Sequence, residues 1–286
     1  MVIVITGPTG VGKTKMGIKL AKKLDGEIIN ADSTVVYKGL DIATAKVTDM
    51  EGIIHHLIDI KEITKNYTVY DFQKDARACI ADIKNRGKTP IMVGGTGLYI
   101  KAALYDYKFL NEENNTNYDD ISNEELYNKL KEIDPDTEIH MNNRKRIIRA
   151  LNYFEQSNEP YSLKEKTNKL LYDTIFIGLT IDRNILYERI NSRVDEMVNL
   201  GLVEEAKKIY DSGIRTKAIT TPIGYKELFP YFEGKSSLEE CLDLIKKRTR
   251  NYAKRQYTWF NNQMDIKWFS DATLDEILDY IKKQSV

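Results

Sequence analysis

The 286-residue sequence is short of the residues that staple or hinge a fold: two cysteines, six prolines, two tryptophans and three histidines. Cys79 and Cys241 are far apart in sequence and lack metal-ligand spacing, so neither a disulfide framework nor a zinc pattern is present. His55 and His56 are adjacent, and on a helix they would face different sides. No apolar run approaches the ~20 residues that span a bilayer. The longest, Val2–Ile5 and Ile175–Ile181, are strand-sized, and no membrane association is expected. No basic segment precedes Val2 and no small-residue cleavage site follows it. A reduced, cytoplasmic, monomeric protein without an obligate protein partner is the expectation. Net charge is also missing: 43 Lys and Arg balance 43 Asp and Glu.

That zero conceals an uneven distribution. Residues 244–260 carry Lys246, Lys247, Arg248, Arg250, Lys254 and Arg255 with no acid, whereas 110–136 carry nine acids against Lys129 and Lys131. A neutral total is therefore compatible with a basic face. Apolar residues make up 42% of the chain, enough for one large α/β domain or for a core with a smaller insertion.

The pattern along the chain favours the second arrangement. Val2–Ile5 is a continuous β-branched run, as a buried parallel strand should be. Lys15–Leu24 has mostly helical spacing, Glu27–Ala31 reads as a second strand, Val69–Arg86 as a helix closed by Gly87, and Thr89–Val93 as a third strand. Strands alternating with helices imply a parallel sheet with crossovers. After about Tyr105 the pattern changes. Residues 110–123 look like a polar loop, Glu124–Ile133 and Asn143–Gln156 read as helices, and no strand pattern returns until Leu171–Ile181. From Asn184 the chain is helical in long stretches, ending in the basic segment. The expected fold is α/β: a P-loop NTPase-like core formed by residues 1–110 and 171–286, with an all-helical insertion at 111–170.

The strongest chemical signal is Gly7-Pro8-Thr9-Gly10-Val11-Gly12-Lys13-Thr14. It matches the phosphate-binding loop pattern in full, with a buried strand before it and an amphipathic helix after it. Backbone N–H groups of such a loop converge on phosphate oxygens, and the helix N-terminus adds positive potential. Lys13 would neutralise the terminal phosphates and Thr14 would ligate Mg²⁺. Motor ATPases and GTPases usually end a core strand with an acid for that metal. Here Pro90–Val93 runs into Gly94-Gly95-Thr96-Gly97 instead, which leaves small-molecule kinases and other transferases with a phosphate leaving group. Asp32 ends the second strand, the edge that borders the ligand crevice in open α/β sheets. It could take a proton from a nucleophile or merely cap the turn at Ser33. The basic stretch at 244–260 interleaves cations with Tyr252, Tyr257, Trp259 and Phe260. It suits a nucleic-acid backbone groove and equally a solvated helix face with its aromatics in the core.

Further motifs come in a fixed order: Asn30-Ala31-Asp32-Ser33, Tyr37-Lys38-Gly39-Leu40-Asp41-Ile42, Thr44-Ala45-Lys46, His55-His56-Leu57-Ile58-Asp59, Gly94–Tyr99, Arg146–Leu151, Ile223–Glu227 and Ala253–Phe260. As a set, over about residues 2–260, they resemble the bacterial tRNA dimethylallyltransferase family, also called tRNA isopentenyltransferases. The resemblance implies that Gly7, Thr9, Gly10, Val11, Gly12, Lys13 and Thr14 hold the diphosphate of dimethylallyl diphosphate, with Mg²⁺, and not ATP. It implies Asp32 as base for the adenine N6 proton, Thr96 beside the target nucleotide, and Arg193 as an arginine closing over the diphosphate. It further implies contact with the tRNA anticodon arm by Ser33, Thr34, Val35, Lys145, Arg146, Arg149, Tyr225, Lys226, Lys254, Arg255, Gln256 and Trp259. The chain departs from the family pattern at Val35, often Gln, at Ala43, often Gly, and at Met141-Asn142-Asn143, often Pro-Asn-Asp. The rival readings are an ATP-dependent small-molecule kinase, an isopentenyltransferase acting on free adenine nucleotides, and an RNA-binding module with a degenerate P-loop.

Overall fold

The computed structural model describes residues 1–109, 116–166 and 169–284. The loop expected over 110–123 falls outside the described residues at 110–115. The chain divides into two compact units, Met1–Leu104 with Tyr172–Val286, and Tyr105–Leu171.

The first unit is built on a six-stranded sheet, all of whose pairings are parallel. Its strands are β1 (Val2–Thr6), β2 (Gly26–Asn30), β3 (His55–His56), β4 (Thr89–Val93), β5 (Thr174–Thr180) and β6 (Lys267–Ser270). Their order across the sheet is β3-β2-β4-β1-β5-β6. The central strand β1 is buried along its whole length, which is why its sequence is unbroken Val and Ile rather than alternating. Crossover helices α1 (Lys13–Lys23), α2 (Val69–Asn85) and α3 (Gly97–Leu104) connect the early strands. Ile3, Ile5, Ile91 and Ile177 of the sheet pack with Ile18 and Leu20 of α1 in one apolar cluster.

Two strands were not foreseen. His55-His56 forms the edge strand β3 rather than lying on a helix, and β6 is a short, partly exposed strand at the opposite edge. The expected strand at Leu171–Ile181 starts later, at Thr174. Nor does the chain end in the basic helix. The second unit's helices come first: α4 (Asn123–Ile133), α5 (Arg144–Ser157) and α6 (Tyr161–Lys166). The core then continues with α7 (Arg183–Asn199), α8 (Leu202–Asp211), α9 (Lys217–Thr220), α10 (Phe229–Phe232), α11 (Leu238–Gln263) and, after β6, α12 (Leu274–Gln284). Ile277 and Ile281 of α12 join the main core.

Capping residues fix where several helices begin. Thr68 with Asp71, Ser122 with Glu125 and Ser237 with Glu240 form reciprocal capping boxes at the starts of α2, α4 and α11. The second unit has its own core, with Leu126 and Leu130 of α4 against Ile147, Ala150 and Leu151 of α5. Asn143 caps α5, its side chain accepting the Arg146 N–H at 3.3 Å. Among the described residues no helix is long and apolar enough to cross a membrane.

At the amino end of β2, Glu27 is almost fully enclosed, its side chain 1% exposed. Arg86 grips both of its oxygens, at 2.5 and 2.7 Å, and His56 Nε2 lies 2.7 Å away. The Arg86 hydrogen bonds, helped by His56, hold the carboxyl down at about 2 against the opposing pull of burial. A depressed folded value means that this contribution is complete above about pH 4.5, the ordinary carboxylate value, and is lost as pH falls through about 2. Breaking a buried pair costs about 3–5 kcal/mol. Arg86 is 39% exposed and His56 remains, so Arg86→Met should cost about 2 kcal/mol at neutral pH. Urea melts across pH should show this gap closing as pH falls towards 2.

Candidate active site

Parallel strands deliver their carboxyl ends to one edge of the sheet, and three loops meet there. The loop after β1 runs from Gly7 into α1. The chain after β2 carries Asp32 and Ser33, and β4 leads into Gly94–Gly97. Thr6 Oγ1 donates to the Gly94 carbonyl at 3.0 Å, tying the first loop to the third. The Gly95 N–H donates to Asp32 Oδ1 at 2.8 Å, and the Ser33 N–H donates to Thr96 Oγ1 at 3.1 Å. The Asp32 carboxylate is thus held by a backbone N–H from the neighbouring strand end.

These loops border a cavity of about 920 Å³. Its wall includes Thr9, Gly10 and Lys13 of the phosphate loop and Arg193 from α7. Asp32, Ser33, Thr34 and Thr96 line the same cavity. Tyr252 and Arg255 of α11 close the site. Lys13 is only 9% exposed, and its Nζ donates to the Pro8 carbonyl at 2.9 Å. Burial pushes its ammonium below the ordinary lysine value; the Asp32 charge opposes this and the Arg193 charge adds to it. Burial likewise lowers Arg193, against Glu196 and Asp32. Tyr252 is pushed the other way by burial and by the Asp32 charge, so its hydroxyl stays protonated. The site therefore holds two desolvated cations, Lys13 and Arg193, with Asp32 and a neutral phenol, and its wall also carries Lys226, Arg255 and the Arg248–Glu227 ion pair.

Other expected site residues fall elsewhere. Gly7, Val11, Gly12 and Thr14 do not line the cavity itself; Thr14 is exposed on the first turn of α1. Lys226 lines the cavity and donates through Nζ to the Thr220 carbonyl at 2.5 Å. Val35 is 7% exposed and Tyr225 fully buried, so neither side chain is presented to a macromolecule. Tyr225 instead donates its hydroxyl to Glu205 at 2.7 Å. The same carboxylate accepts the N–H groups of Asp41, Ile42 and Ala43 at 3.1–3.3 Å. That fixes the stretch whose Ala43, Thr44 and Ala45 line the cavity.

Lys254 and Arg255 are exposed on α11, whereas Gln256 is 5% exposed. Trp259 is half-buried over Gly97, where an added Cβ would lie 2.0 Å from its ring. Lys145, Arg146 and Arg149 are on α5 of the second unit, with Lys145 and Arg149 exposed. Arg144 is spent internally, donating to the Tyr118 and Ile121 carbonyls at 2.6 and 2.7 Å. Tyr252 was not singled out from the sequence as a site residue. Its signal was available: it stands four residues before Gln256, on the same helical face.

No group of three His, Cys, Asp or Glu side chains among the described residues could cage a metal ion. The oxygen donors near the loop, Thr14 and Asp32, fit a hard cation held chiefly by phosphate oxygens and water, the usual habit of Mg²⁺.

A family model described as IPP transferase matches residues 35–263. The tRNA dimethylallyltransferase of Anoxybacillus flavithermus is 50% identical to this chain, across 98% of it and 96% of the relative. The crystal structure of the full-length tRNA isopentenylpyrophosphate transferase from Bacillus halodurans aligns with a TM-score of 0.77 at 41% identity, covering 99% of this chain and 96% of that one. A eukaryotic dimethylallyltransferase acting on tRNA aligns with a TM-score of 0.82 at 32% identity, over 99% of this chain and 77% of that one.

The close approach of Trp259 to Gly97 gives a direct test of the packing. Gly97→Ala should displace the indole and cost about 1–3 kcal/mol, as overpacking does. Tryptophan fluorescence in a Trp268→Phe background should report the movement, and denaturant melts the cost.

Proposed function

Because this chain belongs to the IPP transferase family, we propose that it is a tRNA prenyltransferase. It moves the dimethylallyl group of dimethylallyl diphosphate to N6 of the adenosine immediately 3′ to the anticodon and releases diphosphate. The observation that carries the chemistry is one cavity lined both by Lys13 with Arg193 and by Asp32 with Thr96. The first pair suits a diphosphate and the second a nucleophile that must lose a proton.

An exocyclic adenine amine is a weak nucleophile because its lone pair is delocalised into the ring. The bond from N6 to the allylic carbon forms while the carbon–oxygen bond to diphosphate breaks, and the allylic carbon shares the developing positive charge. Lys13, Arg193 and the loop amides take up the negative charge of the departing diphosphate. Asp32 accepts the N6 proton. When bound, Mg²⁺ supplies further neutralisation of the diphosphate through Thr14. Burial of Lys13 raises the worth of these charges, because little water screens them.

The target adenine must leave its stack to enter the cavity, which requires fixed backbone on either side. Lys254 and Arg255 of α11, and Lys145, Arg146 and Arg149 of α5, are the cations that serve this purpose. The central experiment is incubation with labelled dimethylallyl diphosphate and unmodified tRNA, followed by digestion and identification of the nucleoside. Label in N6-dimethylallyladenosine at the position 3′ to the anticodon is expected. Consumption of ATP without labelled tRNA would return the small-molecule kinase, and label in free adenine nucleotides alone would return the rival prenyltransferase.

Two outcomes follow for single residues. Asp32→Asn keeps the shape and loses the proton acceptor, so single-turnover transfer should fall by about 10²–10⁴-fold with tRNA affinity retained. Arg255→Ala should lower tRNA affinity and make the salt dependence of log Kd shallower by about 0.7–0.9, one phosphate contact. Filter-binding titrations at several salt concentrations measure this.

A further inference from the structure

The resemblance of residues 253–260 to the family placed Gln256 among the tRNA contacts, but its position in the fold is different. From α11 it points inward and is 5% exposed. Its Oε1 accepts the backbone N–H of Thr9, in the phosphate-binding loop, at 2.8 Å. Its Nε2 donates to the carbonyl of Gly95, in the loop after β4, at 3.0 Å. Gly95 in turn donates its N–H to Asp32 Oδ1 at 2.8 Å. One carboxamide thus joins the diphosphate loop to the loop that holds the proton acceptor.

Side-chain chemistry explains why an amide stands here. The two backbone groups to be satisfied are one donor and one acceptor, and glutamine offers the complement of each in a single neutral group. A carboxylate would face the Gly95 carbonyl with no proton to give, and an apolar side chain would leave both groups unpaired in a buried place. The approach is close: a Cβ added to Gly95 would lie 2.1 Å from Gln256 Nε2 and 3.4 Å from Asp32 Oδ1. Glycine at 95 is what lets the amide sit between the two loops.

We propose that Gln256 is a positioning residue for the transfer: it fixes the distance between the donor's diphosphate and the base that deprotonates the acceptor. Its neighbour Lys254 is exposed on the same helix, and the exposed Arg255 stands at the cavity wall, so α11 carries exposed cations beside the residue that locks the reaction geometry. Gln256 lines the cavity, but both polar ends of its amide are engaged by the loops, Oε1 by the Thr9 N–H and Nε2 by the Gly95 carbonyl. Loss of the amide therefore changes the rate of transfer and leaves tRNA affinity alone.

This inference rests on the proposed prenyl transfer. The wild-type protein in each assay checks that reading independently: no labelled tRNA from wild type would sink the reaction itself, whatever the variants do. Gln256→Met keeps the length and removes both hydrogen bonds. At saturating dimethylallyl diphosphate, single-turnover transfer should fall by about 10- to 100-fold, the cost of a misaligned pair of reactants, with tRNA Kd within about twofold of wild type. Gln256→Glu gives a sharper test, because the carboxylic acid, once protonated, again offers one donor and one acceptor. The ratio of its transfer rate to that of wild type should rise as pH is lowered from about 8 to about 5.5, where a buried carboxyl gains its proton. Transfer within about twofold of wild type in a folded Gln256→Met protein, or lost tRNA affinity with an unchanged rate, would overturn the proposal. Should Gln256→Met fail to fold, the Gln256→Glu ratio decides alone, and a flat ratio across pH overturns it.

Discussion

Five cations, Lys13, Arg193, Lys226, Arg248 and Arg255, line a cavity with two carboxylates, Asp32 and Glu227, and much of the architecture follows from that imbalance. Lys13 is nearly enclosed, and burial lowers its affinity for its proton. Arg193 is lowered by burial as well. Asp32 opposes both shifts, but with Glu227 taken up by Arg248 it cannot balance the cations that remain. A buried charge left uncompensated is costly, and an anionic ligand is what relieves it. The affinity for phosphate is therefore built in as electrostatic tension. The loop amides and the helix N-terminus add direction to it.

The sheet makes this arrangement possible at small cost. Because β1, β2 and β4 run parallel, their carboxyl ends bring the phosphate loop, Asp32 and Gly94–Gly97 together without any long connection. Two later helices complete the site. α7 brings Arg193, and α11 brings Tyr252, Arg255 and Gln256. With 26 residues, α11 is long enough to bury Ala253 and Phe260 while exposing Lys254 and Arg255. The zero net charge of the chain is in this sense a sum over faces that do different things.

How much of this was legible depended on the length and polarity of each segment. β1, β4, α2 and the phosphate loop were plain, because each is a long apolar or strictly patterned run with clear ends. β3 was hidden because two histidines carry no strand signal. β6 was hidden because four residues with an exposed lysine and serine do not resemble a buried strand. The glycine-rich run after β4 reads as a loop, yet α3 starts within it at Gly97. Among the site residues, Lys13, Asp32, Thr96 and Arg193 could be named from motif and order. Tyr252 looked like one more aromatic of a basic helix, since spacing alone does not say which face of a helix meets a cavity.

Motif residues also sort by what they touch, which the string of letters does not disclose. Lys13, Asp32 and Arg193 line the cavity, as does the largely buried Gln256, whereas Tyr225 and Trp259 act one step behind it. Tyr225 and three backbone N–H groups share the carboxylate of Glu205, and so fix the chain at Ala43. Trp259 covers Gly97 at the start of α3, and Gln256 bridges two loops. Each of these contacts demands one residue type as strictly as chemistry does: a hydroxyl donor, a flat ring over a missing Cβ, an amide with both polarities. A reaction that needs two reactants aligned needs the loops carrying them held as firmly as the reacting groups themselves. The same sequence signature therefore records both, and only the burial of a side chain and the partners of its polar atoms tell the group that reacts from the group that holds it in place.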